Sequence, residues 1–257
     1  MSFFDIVAEL RAAGCVFAED EAHLLTAEAR TPSELAAMVG RRVSGLPLEH
    51  VLGWAEFHGL RVAVDPGVFV PRRRTEFLTE RAAALAPPRP VILDLCCGSG
   101  AVGAALLATL PGAELHAADI DPAAVACARR NLAATGGHVH EGDLYAPLPP
   151  ALRGRIDILV ANVPYVPTAE IPLLPAEARH HEPRTALDGG PDGLSLLRRV
   201  TAEADSWLAP GGHLLTETSG TQAPEALRII TEAGLLPGLA TCEDRCATVA
   251  VATRPVA

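Results

Sequence analysis

The chain is 257 residues long, which suits one large domain or one domain with a small companion. With 31 Asp and Glu against 21 Lys and Arg, its net charge is −10, which counts against a nucleic-acid binder that grips mainly through phosphates. No uninterrupted apolar run is long enough to span a bilayer, and Met1-Ser2-Phe3-Phe4-Asp5 is unlike a leader, so a cytoplasmic globular protein without membrane contacts is expected.

Phe4, Val7, Leu10 and Ala13 fall on one helical stripe, and Leu24, Leu25 and Ala29 on part of another. Pro32 after Thr31 suits the first turn of a further helix, which Gly40 or Gly45 ends. Residues 1–52 therefore read as a small helical domain. Residues 53–75 read as a link in which Trp54 to Val64 forms a hairpin turning near His58-Gly59. Residues 76–257 form the third unit, entered by a helix over Thr75–Leu85. From Pro90 strands and helices alternate, as in a doubly wound α/β sheet. Strands are expected at 91–96, 114–119, 138–143, 156–161, 213–218 and 248–253, with helices at 101–110, 122–134, 194–208 and 223–233.

The six cysteines, Cys15, Cys96, Cys97, Cys127, Cys242 and Cys246, form no disulfide framework and fit a reduced compartment. Cys242-x3-Cys246 has no second Cys/His pair, so no metal centre is expected. Cys96-Cys97 read as small packing residues, Arg72-Arg73-Arg74 as a solvated turn and His180-His181 as a solvated loop.

In open α/β sheets, ligands bind at the carboxyl ends of the strands. Asp94-Leu95-Cys96-Cys97-Gly98-Ser99-Gly100 lies there, a strand running into a glycine-containing loop. Gly98 and Gly100 let a ligand approach the backbone. The spacing differs from the G-x-G-x-x-G of a pyrophosphate loop. Asp94 would gain a phosphate nothing, but it suits the ammonium and sulfonium of S-adenosyl-L-methionine. Asp119 ends the second strand, where a carboxylate takes ribose hydroxyls, and Asp121 is better placed to cap the helix at Pro122. Asp143, at the third strand end, is the candidate for the adenine side.

Asn162-Val163-Pro164-Tyr165 ends the fourth strand and suits a planar NH2 group. An amide nitrogen is a poor nucleophile because its lone pair is delocalised into the carbonyl. A site must hold both N–H bonds and aim the nitrogen at the methyl carbon. The Asn162 side-chain oxygen accepts one N–H and the Val163 carbonyl the other. Pro164 fixes the turn, and Tyr165 covers the flat face of the acceptor. The rate gain comes from positioning and fixed dipoles, with no strong base. A flipped nucleic-acid base also offers an exocyclic amine, but would need a basic channel. A domain that binds the donor and merely docks a partner is a third reading, opposed by the intact Asn162, Pro164 and Tyr165.

Over almost its whole length the chain resembles the HemK/PrmC family of protein-(glutamine-N5) methyltransferases. Residues 45–53 resemble the family's link out of the helical domain. Phe57-x-Gly59 and residues 68–76 resemble its hairpin and Pro-Arg-Pro-x-Thr-Glu segment, and residues 182–194 the segment after the acceptor motif. The resemblance implies a Rossmann-like class I methyltransferase that uses S-adenosyl-L-methionine. It implies donor contacts at Phe69, Cys96, Cys97, Gly98, Ser99, Gly100, Asp119, Ile120, Leu144 and Asn162, beside Asp94 and Asp143. It implies acceptor contacts at Asn162, Val163, Pro164 and Tyr165. The acceptor it implies is the glutamine of the Gly-Gly-Gln tip of peptide-chain release factors, with residues 1–52 docking that protein. A monomer with no stable nucleic acid is expected. The chain departs from the family at Val163 and Arg73, where prolines are usual, and at Cys96-Cys97, where a Gly-Thr or similar pair is usual. A paralogue acting on another protein or a small molecule is the alternative.

Overall fold

The computed structural model describes residues 1–256; residue 257, the last of the third expected unit, lies outside the described residues. The chain opens with four helices, α1 (Phe3–Ala12), α2 (Ala18–Glu28), α3 (Pro32–Val43) and α4 (Leu48–Leu52). Ser2 and Asp5 form a capping box at α1, and Thr31 caps α3 with Pro32 in its first turn. Ile6, Val7 and Leu10 pack on Leu25, Met38, Val39 and Val51 in a core of their own. Phe4, expected on that stripe, is 82% exposed, because the buried face of α1 runs through Ile6 instead. The short α4 closes the expected helical domain, within the stretch 45–53 that resembles the family's link. It ends at Gly53, whose φ of +81° suits a left-handed C-terminal cap.

β1 (Trp54–Phe57) and β2 (Leu60–Ala63) form an antiparallel hairpin. Its turn residues His58 and Gly59 both have positive φ, +51° and +74°, as a two-residue hairpin loop demands.

Then follow α5 (Thr75–Leu85), β3 (Val91–Leu95), α6 (Ala101–Thr109), β4 (Glu114–Asp119), α7 (Pro122–Leu132), β5 (His138–Glu141) and β6 (Ile156–Ala161). The chain continues through α8 (Ala176–His181), α9 (Ser195–Trp207), β7 (Leu208–Thr218), α10 (Ala223–Glu232), β8 (Leu236–Cys242) and β9 (Ala247–Thr253). The sheet order is β5-β4-β3-β6-β7-β9-β8. The first five strands are parallel, and β9 runs antiparallel to both β7 and β8. Both faces are covered, so the central strands are apolar at nearly every position. Ile92, Ile158 and Val160 face one core, with Leu78, Leu106 and Leu132 of the helices on that side. Leu93, Leu95 and Leu159 face the other, with Val200, Trp207 and Ile229. Among the described residues, no helix is long and apolar enough to cross a membrane.

Three elements differ from expectation. β8 is not among the expected strands, and Pro237 and Gly238 give it a loop's composition; it is an edge strand bonded to β9, where proline is tolerated. The expected helix through Leu208 ends at Trp207, and β7 begins at once. Its register jumps from Ile156↔Leu208 to Ile158↔His213, so Pro210-Gly211-Gly212 bulges away from β6, while Gly211 N–H donates to the Arg254 carbonyl and the Gly212 carbonyl accepts from Arg254 N–H. A Cβ on Gly212 would stand 2.7 Å from the Ile156 carbonyl oxygen, which explains the glycine. The third strand stops at Glu141, before Gly142 and Asp143.

Candidate active site

Strand order reverses between β3 and β6, the switch point at which open α/β sheets bind ligands. The register there pairs Leu95 with Ala161. Cys96 and Asn162 are therefore the first residues beyond two hydrogen-bonded strand ends, and the glycine loop and the Asn-x-Pro-aromatic turn open into one cavity. Its volume is about 910 Å³, within the range for small-ligand sites.

The first half of the cavity is lined by Phe69, Asp94, Cys96, Cys97, Gly98, Ser99, Asp119, Ile120, Asp143 and Leu144. Gly100 is absent from this lining. It starts α6 at φ +77°, and a Cβ there would meet Ala128 at 3.2 Å, so its task is to seat α6 against α7. Gly98, at φ +54°, has open space where a Cβ would point. Cys96 takes the same left-handed backbone at φ +55°, an uncommon conformation for a residue with a side chain. Burial pushes the Cys97 thiol up, as suits a packing residue. Asn131 fastens the hairpin to the loop: it bonds both backbone groups of Ala63 and donates to the Ser99 carbonyl at 2.8 Å.

The acids divide their tasks. Asp121 caps α7 through Ala123 N–H at 2.9 Å. Asp119 accepts from Gly98 N–H at 2.8 Å and Asp121 N–H at 3.0 Å, which ties the loop to the end of β4. Burial raises its pKa. Asp94 is 2% exposed, and its hydrogen bond is to Gly103 N–H at 3.0 Å. Burial pushes its carboxyl up to about 7. Asp143, at the outer rim, pairs with Arg199 at 2.7 Å.

Asn162, Val163, Pro164 and Tyr165 line the other half. The Asn162 side-chain oxygen is buried and has no hydrogen-bond partner. Buried acceptors are almost always paired, and this one, in a residue that lines the cavity, is not. The Tyr165 hydroxyl, by contrast, is fully engaged. It donates to Glu217 at 2.6 Å and accepts from Arg74 at 2.7 Å. Arg74 Nε also donates to Glu217 at 2.7 Å, as does Thr75 Oγ1 at 2.8 Å. Burial, and then the Glu217 carboxylate, push the Tyr165 phenol up. Gln222 Nε2 holds the Tyr165 carbonyl at 2.9 Å.

This network corrects the reading of Arg72-Arg73-Arg74 as a solvated turn. Arg74 pairs with Glu217, and Arg72 pairs with Glu182 at 2.6 Å while stacking on Phe69 at 4.9 Å. Glu217 escaped the sequence reading although it too is a strand-end carboxylate, at the end of β7. The rule that picks out Asp94 and Asp119 also picks it out. His180-His181 end α8 and do not line the cavity.

The glycines of residues 188–193 bring that segment back against the acceptor turn. A Cβ on Gly189 would lie 2.7 Å from the Pro164 carbonyl oxygen and 2.5 Å from that of Gly193, and one on Gly193 would lie 2.3 Å from that of Tyr165. Gly189→Ala is therefore expected to shift backbone at the turn. It should lower stability by about 1–3 kcal/mol and turnover by more than that loss explains; urea titration alongside kinetics on the folded fraction checks this.

Comparison with known proteins agrees with this architecture. The Methyltransferase small domain model matches residues 59–177. A methyltransferase from Pyrococcus furiosus shares the fold with a TM-score of 0.60 at 15% identity, covering 87% of this chain and 100% of that one. Fold and family together define a Rossmann-like class I methyltransferase whose methyl donor is S-adenosyl-L-methionine. The release factor glutamine methyltransferase of Geobacter sulfurreducens is 41% identical over 208 residues, 79% of this chain and 72% of that protein. That of Mycolicibacterium smegmatis is 40% identical over 234 residues, 89% of this chain and 82% of that protein. The chain belongs to the release factor glutamine methyltransferase family.

Proposed function

We propose that this protein methylates the side-chain amide nitrogen of a glutamine, that of the Gly-Gly-Gln tip of a peptide-chain release factor. The observation that carries the reading is the buried, unpartnered Asn162 oxygen, one residue beyond the paired ends of β3 and β6. It stands beside the donor loop and lacks what a primary amide brings, an N–H.

The donor half fits S-adenosyl-L-methionine. Asp94 is a buried carboxylate with no cation beside it, and a ligand ammonium supplies one. Asp119 keeps acceptor capacity for ribose hydroxyls, and Leu144 and Ile120 offer apolar surface to the adenine. The donor, when bound, supplies an electrophilic methyl carbon. Asn162 takes one amide N–H and the Val163 carbonyl the other, so the nitrogen is presented in one orientation. Pro164 stiffens the turn, and Tyr165 is a fixed wall, its hydroxyl spent on Glu217 and Arg74. An N-methylated amide nitrogen sheds its extra proton to water readily, so no side chain acts as a strong base. Fixed dipoles and orientation supply the acceleration.

The division into residues 1–52 for docking, 53–75 as the link and 76–257 for methyl transfer belongs to the same reading. So do a monomer, a cytoplasmic setting and a protein rather than a nucleic acid as partner; the acidic balance supports the last. The test is mass spectrometry of a release factor incubated with the protein and S-adenosyl-L-methionine. One added methyl on the Gly-Gly-Gln glutamine is expected. Its absence, with donor binding intact, would redirect the search to other acceptors.

A further inference from the structure

Beside the donor loop and the acceptor turn, much of the cavity wall comes from the stretch from Val166 to Leu194. It holds no strand, and its only α-helix, α8, has six residues. Its base is closed on itself, with Val166 N–H bonded to the Leu187 carbonyl at 3.1 Å and Gly189 N–H to the Val166 carbonyl at 2.8 Å. Its far end is held by ion pairs to distant parts of the chain. Glu182, whose side chain is 1% exposed, meets Arg72 in the link. Glu177 on α8 meets Arg42 on α3 at 2.6 Å, across 135 positions of sequence.

Arg42 is itself buried and firmly placed. Its guanidinium forks onto Glu21 of α2 at 2.6 and 3.1 Å and donates to the Leu46 carbonyl at 2.9 Å. A planar guanidinium fixed on one carboxylate presents its remaining N–H in a set direction, and that N–H reaches Glu177. The helical layer thus fixes the point to which the far end of the wall is tied.

We propose that Arg42 and Glu177 are positioning residues through which α1–α4 set the placement of the 166–194 wall, and with it the affinity for the polypeptide acceptor. This rests on the reading of the acceptor as a glutamine within a protein chain. A glutamine carried by a polypeptide must pass under this wall to reach Asn162. A wall that has drifted binds that chain less well, although the donor loop is untouched.

Glu177→Ala in the full chain is the test, because it cuts the tie while leaving the buried Arg42–Glu21 fork in place. Hydrogen exchange of the free protein should speed up within residues 166–194 and stay unchanged in the Cys96–Gly100 loop. KM for the release factor should rise about tenfold, with kcat falling far less and the calorimetric Kd for S-adenosylhomocysteine unchanged. Glu177→Gln, which can still accept from Arg42, should restore most of both readouts. Arg42→Met should behave like Glu177→Ala where it folds. Unchanged exchange in the wall, or an equal change in donor affinity, would overturn the proposal. If the wild-type protein methylates no release factor, the function reading fails and the exchange result still decides whether the tie holds the wall.

Discussion

Replacing Asn162 with alanine is expected to lower turnover by about a hundredfold or more while donor affinity changes far less. On the proposed reading, the side-chain oxygen is the acceptor that orients the amide from a side chain, and its loss lets the nitrogen rotate away from the methyl carbon. The same substitution should not harm the fold. A buried acceptor without a partner destabilises the free protein, by roughly 1–3 kcal/mol in comparable sites, and alanine removes it. The expected signature is therefore a variant at least as stable as the parent and nearly inactive, which is what a residue kept for function shows. Thermal denaturation, donor calorimetry and single-turnover methylation on the same preparation separate the three effects. A marked drop in melting temperature would mean that the oxygen has a structural partner after all. Unimpaired turnover would remove Asn162 from the chemistry.

Much of this arrangement was legible in the sequence because it is local. A strand, a glycine loop and a helix follow one another within Val91–Thr109, so periodicity and turn residues mark them without long-range knowledge. The same holds for the turn after β6, and the alternation of strands and helices then brings the two motifs to one edge of one sheet. What stayed hidden depends on partners far away. Arg74 reads as a solvated cation until β7 delivers Glu217, 143 positions later. Nothing in the sequence marks Arg42, whose partner Glu177 is brought by α8 from 135 positions away. Tyr165 reads as a free ring because the sequence does not tell that its hydroxyl is already bound at both ends. β8 was lost for a different reason. An edge strand needs to satisfy only one neighbour, so it accepts Pro237 and Gly238, the residues by which loops are recognised.

Asp94→Asn is expected to give the second large effect, with opposite signs for stability and binding. In the donor-free protein, burial pushes the Asp94 carboxyl from its ordinary 3.8 up to about 7; the Gly103 N–H opposes this and Asp119 adds to it. Folding thus raises the pKa, so the native state holds the proton more tightly than the unfolded chain. The stability carried by the neutral form is fully present below about pH 4 and is lost as pH rises through about 7. Above that pH the buried carboxylate costs on the order of 4 kcal/mol, at about 1.4 kcal/mol for each tenfold change in proton affinity. Asparagine keeps an oxygen for Gly103 N–H and carries no charge to bury. The variant should melt several degrees higher than the parent at pH 8, and the gap should shrink towards pH 5 and close below about pH 4, where the carboxyl is protonated in the unfolded chain as well. Donor binding should move the other way. An ammonium needs the ionised carboxylate, so the affinity of the parent should rise with pH up to about 7 and then level off. The asparagine variant should bind about a hundredfold more weakly at pH 8, with a flat pH profile between 5 and 8. Calorimetric titration with S-adenosylhomocysteine, which retains the ammonium and lacks the sulfonium, isolates this contact. A profile equally steep in both proteins would assign the proton to another group and release Asp94 from the donor site.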